Sequence, residues 1–286
     1  MSISSPIPSN PAGARLADPP RGKPAAPQPG PVEVYVPRAR TVWPTSPLEA
    51  VVEALFPYPC LGCGAGGGGR RRLGLCAACH ASLAPARPPW CRGCGRLLPR
   101  PWGNADRLCG ACLRQPPPWD ELWWLYPYEG PLRQVVAALK GGRGEFLGDE
   151  LGTELTRRFG AAMAGRFTSV VPVPLHWRRL LGRGYNQAAA IAAATAVALD
   201  VPCRRLLRRS LRRPQKGLGR RDRLLHQQGA FHAPSLPAGS RLLLVDDVMT
   251  TGGTLAAATS ALLAAGGGSV AVAVVARTPL DGERPV

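Results

Sequence analysis

Residues 241–254 read Arg-Leu-Leu-Leu-Val-Asp-Asp-Val-Met-Thr-Thr-Gly-Gly-Thr. The apolar run at 242–245 has the length and character of a fully buried strand. Asp246 and Asp247 follow where that strand is expected to end. Thr250, Thr251, Gly252, Gly253 and Thr254 then form a loop of small and hydroxyl-bearing residues, and the alanine-rich stretch 255–265 predicts a helix. In α/β folds, ligands bind at the carboxyl ends of the strands. A Gly/Thr loop opening a helix offers free backbone N–H groups and the positive end of the helix dipole, which together bind phosphate. Paired acids just upstream suit sugar hydroxyls or a Mg²⁺ ion. The combination fits a ribose 5-phosphate. The bland alternative is an ordinary strand, turn and helix with solvated acids, and it leaves the order of acid pair, Gly pair and helix unexplained.

Working outward, Ser169-Val-Val-Pro-Val-Pro-Leu175 predicts the first strand of the same domain, irregular near its end because of the prolines. A loop is expected over 176–187, followed by an alanine-rich helix from Ala188. That loop carries Arg178, Arg179 and Arg183, the last followed by Gly184, and arginines above a strand end can clamp a pyrophosphate. Residues 204–223 hold nine arginines and Lys216 against one acid, Asp222. The pairs Arg204/Arg205, Arg208/Arg209 and Arg212/Arg213 recur every four residues, as on one face of a helix that Pro214 would end. The glycine-rich stretch around Lys216, with Arg221 and Arg223, predicts a basic lid over a phosphorylated substrate. The rival reading of the arginine pairs is a patch for a nucleic-acid backbone. Before all this, 122–128 reads as extended, 132–140 as an amphipathic helix stopped by Gly141, Gly142 and Gly144, and 150–159 as a second helix.

Eight of the nine cysteines form C-x-x-C pairs: Cys60/Cys63, Cys76/Cys79, Cys91/Cys94 and Cys109/Cys112. Two such knuckles supply one tetrahedral Cys₄ site, so four imply two structural Zn²⁺ ions, with every position filled by protein. Sequential pairing is simplest, and an interleaved cross-brace fits the spacing as well. Disulfides are the competing reading, weakened by the absence of a secretion-like N-terminus. His80 is expected at the surface and Cys203 as a small buried hydrophobe. Arginines are scattered through this window, and Trp90, Trp102 and Trp119 could stack on bases, although closing the small core of a metal module is the preferred role.

The chain of 286 residues is long enough for about two domains. The organisation predicted is a disordered Pro-rich tail at 1–45, a Cys-rich double zinc ribbon at 46–116 and an α/β domain at 117–286. The formal net charge of +18 suits polyanionic partners, whether nucleic acid or phosphate-loaded substrates. No apolar stretch reaches the ~18 residues of a membrane span, so no membrane insertion is expected, and a cytoplasmic location is.

The order of acid pair, Thr/Gly loop and helix resembles the 5-phosphoribosyl-1-pyrophosphate (PRPP) signature of type I phosphoribosyltransferases. The wider arrangement resembles the ComF family, in which a cysteine module precedes such a domain. That resemblance rests on the four knuckles, Tyr128-Glu-Gly-Pro-Leu132 with Leu139-Lys140, Val171-Pro-Val-Pro-Leu175, Arg183-Gly-Tyr-Asn-Gln187, Pro214-Gln-Lys-Gly-Leu218, Gly229-Ala-Phe231 and residues 244–254. His226 departs from the pattern, standing where an Asn is expected. The resemblance implies a Rossmann-like parallel sheet with flanking helices. It implies that Asp246 and Asp247 hold the ribose hydroxyls, that residues 250–254 hold the 5′-phosphate, and that Mg²⁺ accompanies PRPP. It further implies a role in natural transformation, with single-stranded DNA and a competence helicase-like protein as partners. No motif names an acceptor or a catalytic residue, so a non-catalytic PRPP-sensing, nucleic-acid-binding module is the alternative.

Overall fold

The computed structural model describes residues 59–66, 72–98, 108–141, 144–209, 229–280 and 283. The predicted tail at 1–45, the lid residues Lys216, Arg221 and Arg223, and Arg212, Arg213, Trp102 and His226 lie outside the described residues. Among the described residues the strands are β1 (Leu122–Pro127), β2 (Ser169–Pro172), β3 (Arg208–Arg209), β4 (Phe231–His232), β5 (Arg241–Met249) and β6 (Ser269–Arg277). The helices are α1 (Ala77–Ala81), α2 (Gly110–Arg114), α3 (Pro131–Leu139), α4 (Gly144–Met163), α5 (Trp177–Arg183), α6 (Gln187–Ala198) and α7 (Gly253–Ala264).

β1, β6, β5 and β2 form one sheet in that order, all parallel, with Val171 opposite Leu244, Leu244 opposite Val272 and Trp124 opposite Val274. The strands are apolar on both faces because helices cover both. Side-chain alternation sorts them into two cores. Trp123, Leu125, Leu243, Val245, Ala273 and Val275 face one core with residues of α3, α4 and α6. Leu122, Trp124, Leu242, Leu244, Val272 and Val274 face the other, with Leu255, Ala258 and Leu262 of α7. The two halves of the cysteine module divide between these faces. Cys60, Leu73 and Leu75 join the first core, while Trp119 joins the second, with Leu97 packed against it.

The α/β class, the strand at 242–245, the helix near 132–140 and both alanine-rich helices match expectation, and four details differ. First, the extended segment at 122 is a strand of the main sheet, β1, so residue 169 begins its second strand. Second, α4 runs from Gly144 to Met163 rather than over 150–159. Glycine disfavours helices by about 1 kcal/mol. Here Gly148 and Gly152 are required by close packing on α6, since a Cβ at Gly148 would stand 2.4 Å from the Ala190 methyl and one at Gly152 2.5 Å from the Ile191 carbonyl oxygen. Third, the expected loop at 176–187 contains a helix, α5, started by the His176 carbonyl accepting from the N–H groups of Arg179 and Leu180. Fourth, Arg208 and Arg209 lie on a strand rather than a helix, paired with His232 and Phe231. Burial of Leu206, Leu207 and Phe231 in the second core pulls this segment into a small antiparallel ribbon.

Candidate functional site

β5 continues past the apolar run to Met249, so Asp246 and Asp247 sit within its carboxyl-terminal half, held by pairing of Asp246 with Val274 and Val248 with Ala276. Both acids are half-buried. Asp246 Oδ1 accepts from the Asp247 N–H at 2.9 Å, and Asp247 Oδ1 from the Val248 N–H at 2.8 Å. Burial, then repulsion from Asp247, hold the Asp246 carboxyl well above its ordinary value, against an opposing pull from Lys140. Lys140, the residue that caps α3, pairs with Asp247 at 3.3 Å. Such a pair of carboxylates, one resisting ionisation for want of positive charge, is a fitting place for a cation or for hydroxyl donors.

The next residues turn the chain into α7. Thr250 and Thr251 are exposed, Gly252 and Gly253 buried, and Thr254 half-buried. Gly252 occupies the N-cap in a left-handed conformation, φ 77°, which L-residues adopt at a cost of about 1–2 kcal/mol. A Cβ there would also stand 3.2 Å from Met249 Cε and 3.3 Å from Trp119 Cη2. No side chain caps α7, so its first N–H groups and dipole are presented by a backbone that only glycine fits. The loop and the acid pair are thus brought to one end of one strand, as the sequence predicts.

The neighbouring strand β2 sends its chain into α5 and α6 from the same sheet end, since all four strands run parallel. Arg183 is half-buried at the end of α5, and Gly184, φ 77°, ends the helix with its N–H on the Leu180 carbonyl. The turn is anchored on two sides. Asn186 Nδ2 donates to the Val173 carbonyl at 3.0 Å, and Gly144 leaves the space that Tyr185 Oη fills, because a Cβ there would lie 1.2 Å from it. On β3, Arg209 lies over the Phe231 ring at 5.4 Å. Burial, then Arg179, lower its pKa, and Asp246 opposes both, so the three charges share one neighbourhood. Lys140, Arg209 and Trp119 were not among the predicted site residues. The sequence marks Lys140 as the end of an amphipathic helix and part of the family resemblance, Arg209 as one of the paired arginines and Trp119 as a core or stacking tryptophan, and nothing local places any of the three beside the acid pair or its loop.

The cysteines settle into two clusters, Cys60, Cys63, Cys76 and Cys79, and Cys91, Cys94, Cys109 and Cys112, with the sulfurs of each within 4.8 Å of one another. The pairing is therefore sequential rather than interleaved, and no disulfide joins any of the nine cysteines. Cys63 Sγ lies 3.8 Å from Cys76 Sγ, and Cys94 Sγ 3.6 Å from Cys109 Sγ. A tetrahedron with Zn–S near 2.3 Å has edges of about 3.8 Å, so both clusters fit Zn²⁺. The clusters repeat one design. Gly64 and Gly95, both with φ 72°, return their N–H groups to the carbonyls of Cys60 and Cys91, and the N–H groups of Cys76 and Cys109 each donate to the sulfur of that first cysteine at 3.2 Å. Burial opposes the Cys60 thiolate, but the N–H groups of Cys76, Cys63 and Gly62 outweigh it and bring its pKa down to about 6. Its neighbour Cys79 is pushed up to about 12, chiefly by Cys76 and by burial. Four such thiols cannot all ionise without a cation among them. Two of the three tryptophans bond inward: Trp90 Nε1 donates to the Leu122 carbonyl and Trp119 Nε1 to the Gly93 carbonyl. Cys203 is buried, and burial raises its thiol to about 12. His80 is half-buried.

Residues 186–286 match the family described as phosphoribosyl transferase domain, and residues 51–114 match the double zinc ribbon domain. The chain thus carries a type I phosphoribosyltransferase-fold domain preceded by a double zinc ribbon. It is similar to the DNA utilization protein YhgH of Salmonella typhi, 35% identical over 130 residues that cover 40% of this chain and 56% of that protein. The protein of the same name in Escherichia coli (strain K12) is 32% identical over 131 residues. Competence protein F of Haemophilus influenzae is 29% identical over 167 residues, covering 55% of this chain and 69% of that protein. The match to the YhgH proteins spans little more than half their length. Among the described residues, no helix is long and apolar enough to cross a membrane.

Proposed function

We propose that this protein is a phosphoribosyltransferase that binds PRPP with Mg²⁺ and acts in the handling of single-stranded DNA inside the cell. One observation carries the reading: Asp246 and Asp247 stand at the carboxyl end of β5, and the chain leaves them through an uncapped, left-handed glycine turn into α7. Asp246 and Asp247 would accept from the ribose hydroxyls. The backbone N–H groups of 250–254, with the hydroxyls of Thr250, Thr251 and Thr254, would hold the 5′-phosphate. Arg183 and Gly184, and the lid residues Lys216, Arg221 and Arg223, would hold the pyrophosphate. Mg²⁺ would supply charge neutralisation to the leaving pyrophosphate. Catalysis then consists of holding an oxocarbenium-like ribosyl centre in a fixed electrostatic environment. Lys140 pairs with Asp247 at 3.3 Å, and Arg209, with Arg179 beside it, stands within electrostatic reach of Asp246.

The role in DNA metabolism is supported by the names of the relatives, Competence protein F and DNA utilization protein, and by the basic charge of the chain. In this reading a tail at 1–45 precedes the zinc module at 46–116 and the transferase domain at 117–286, and a helicase-like competence protein is a candidate partner. Thiol-rich zinc sites suit the reducing cytoplasm. Calorimetry with PRPP and Mg²⁺, followed by a pyrophosphate-release screen across acceptors that include single-stranded DNA, tests the proposal. Binding with release supports the enzyme. Binding without release for every acceptor assigns the non-catalytic sensor, and no binding overturns both.

A further inference from the structure

The two zinc ribbons share one local design but dock differently. Gly62, inside the first knuckle, faces Pro131 of α3, whose Cβ lies 3.1 Å from where a Gly62 Cβ would stand, and the Leu73 N–H and Arg72 of that ribbon bind Glu150 and Glu154 of α4. Gly93, the equivalent residue of the second knuckle, gives its carbonyl to Trp119 Nε1 at 2.8 Å. Trp119 is 7% exposed. The far edge of its ring meets Gly252, the left-handed residue on which the turn from the acid pair into α7 depends, with Cη2 3.3 Å from the position of a Cβ. One indole therefore touches the second zinc knuckle with its N–H and the 250–254 loop with its opposite edge. A second contact fixes the same ribbon to the same end of the sheet: a Cβ on Gly95 would stand 2.8 Å from both Arg277 Cδ and Trp124 Nε1, and Arg277 is the β6 residue paired with Met249.

We infer that the second zinc ribbon buttresses the 250–254 loop, with Trp119 as the positioning residue, and that the first ribbon does not. The physical reason is rigidity. Four ligands to one ion would hold the Gly93 carbonyl between Cys91 and Cys94, the buried hydrogen bond transmits that position to the indole, and the indole closes the space behind Gly252, so the turn has a wall on one side. Loss of the ion or of the N–H lets the wall move. The functional consequence rests on the proposal that this loop holds a 5′-phosphate; the mechanical coupling does not.

The test uses the full chain carrying Trp119→Phe, which keeps an aromatic side chain in the core but removes both the N–H and the far edge of the ring that meets Gly252. Hydrogen exchange of the ligand-free protein, read on peptides spanning 246–256, should quicken about three- to tenfold, the range set by one buried hydrogen bond. Peptides over 60–79 and the zinc content should be unchanged. Cys109→Ser should loosen 246–256 and Cys76→Ser should not. Unchanged exchange in Trp119→Phe, or equal loosening by the two cysteine variants, overturns the inference. In parallel, ribose 5-phosphate should bind Trp119→Phe about fivefold more weakly, with the affinity for inorganic pyrophosphate and Mg²⁺ unchanged. Equal loss for both ligands means a general defect and also overturns it. If the parent protein fails to bind ribose 5-phosphate while 246–256 still loosens, the phosphate reading falls and the coupling stands.

Discussion

Lys140 Nζ lies 3.3 Å from Asp247 Oδ2, joining the end of α3 to the acid pair at the end of β5. The pair is partly exposed, so its own stability contribution is on the order of 0–1 kcal/mol. Its effect on titration is larger in consequence, because Lys140 opposes the burial and the repulsion that raise the Asp246 carboxyl. In Lys140→Met the midpoint of the pH dependence of PRPP binding should therefore move to higher pH. Calorimetric titration across pH measures it, and a midpoint that stays put or moves down refutes the assignment.

Asp246 itself sets the sign of the pH dependence. Its carboxyl titrates above the ordinary 3.8, so the neutral form persists at pH values where a free aspartate is ionised. The stability gained from that neutral form is present below 3.8 and lost as pH rises through the raised value. Hydroxyl and Mg²⁺ ligands need the anion, so PRPP affinity should rise over that same window, with protons released on binding. Calorimetry in buffers of different ionisation enthalpy reads the release, and proton uptake would contradict it.

Replacing both acids, Asp246→Asn with Asp247→Asn, removes two charged acceptors worth about 1.5–3 kcal/mol each. PRPP affinity should fall at least tenfold, since ~1.4 kcal/mol is one decade. Equal affinity in the double variant would leave the motif a strand and a helix only.

Purified protein should carry two Zn²⁺, one per cluster. Cys91→Ser should lose the second ion and keep the first, and Cys60→Ser the reverse, by metal analysis under reducing conditions. Loss of both ions from either variant would overturn the independence of the two sites.

Arg208 and Arg209 should separate in function. They are adjacent on β3, so their side chains point to opposite faces. Arg209 stands over Phe231 and within electrostatic reach of Asp246, and Arg208→Ala and Arg209→Ala should therefore differ. Arg208→Ala should lower the magnitude of the salt slope for single-stranded DNA by about 0.7, one phosphate contact. Arg209→Ala should instead weaken PRPP binding. The reverse outcome would exchange the two roles.

Gly144, Gly148 and Gly152 show why part of the fold was not legible. In the sequence Gly144 reads as a helix stop and the next helix is expected only from residue 150, whereas in the structure all three glycines form the contact surface of α4 against Tyr185 and α6. The strand assignment of Arg208 and Arg209 was hidden for a related reason. Their four-residue repeat is helical in pattern, and only burial of Leu207 and Phe231 against the sheet overrides it. The acid pair, the glycine turn and the eight cysteine ligands were legible because each lies in one short stretch.

By itself the sequence determined the local chemistry: a buried strand ending in two acids, a turn that demands glycine, and four knuckles able to hold two ions. Local backbone preference and ligand spacing are properties of neighbours along the chain, so they can be read without a fold. The tertiary structure alone decided the sequential pairing of the knuckles, the reach of Lys140 to Asp247, and the placement of Trp119 between Gly93 and Gly252. These join residues far apart in sequence, and the parallel sheet with its two separately packed faces is what brings them within contact distance.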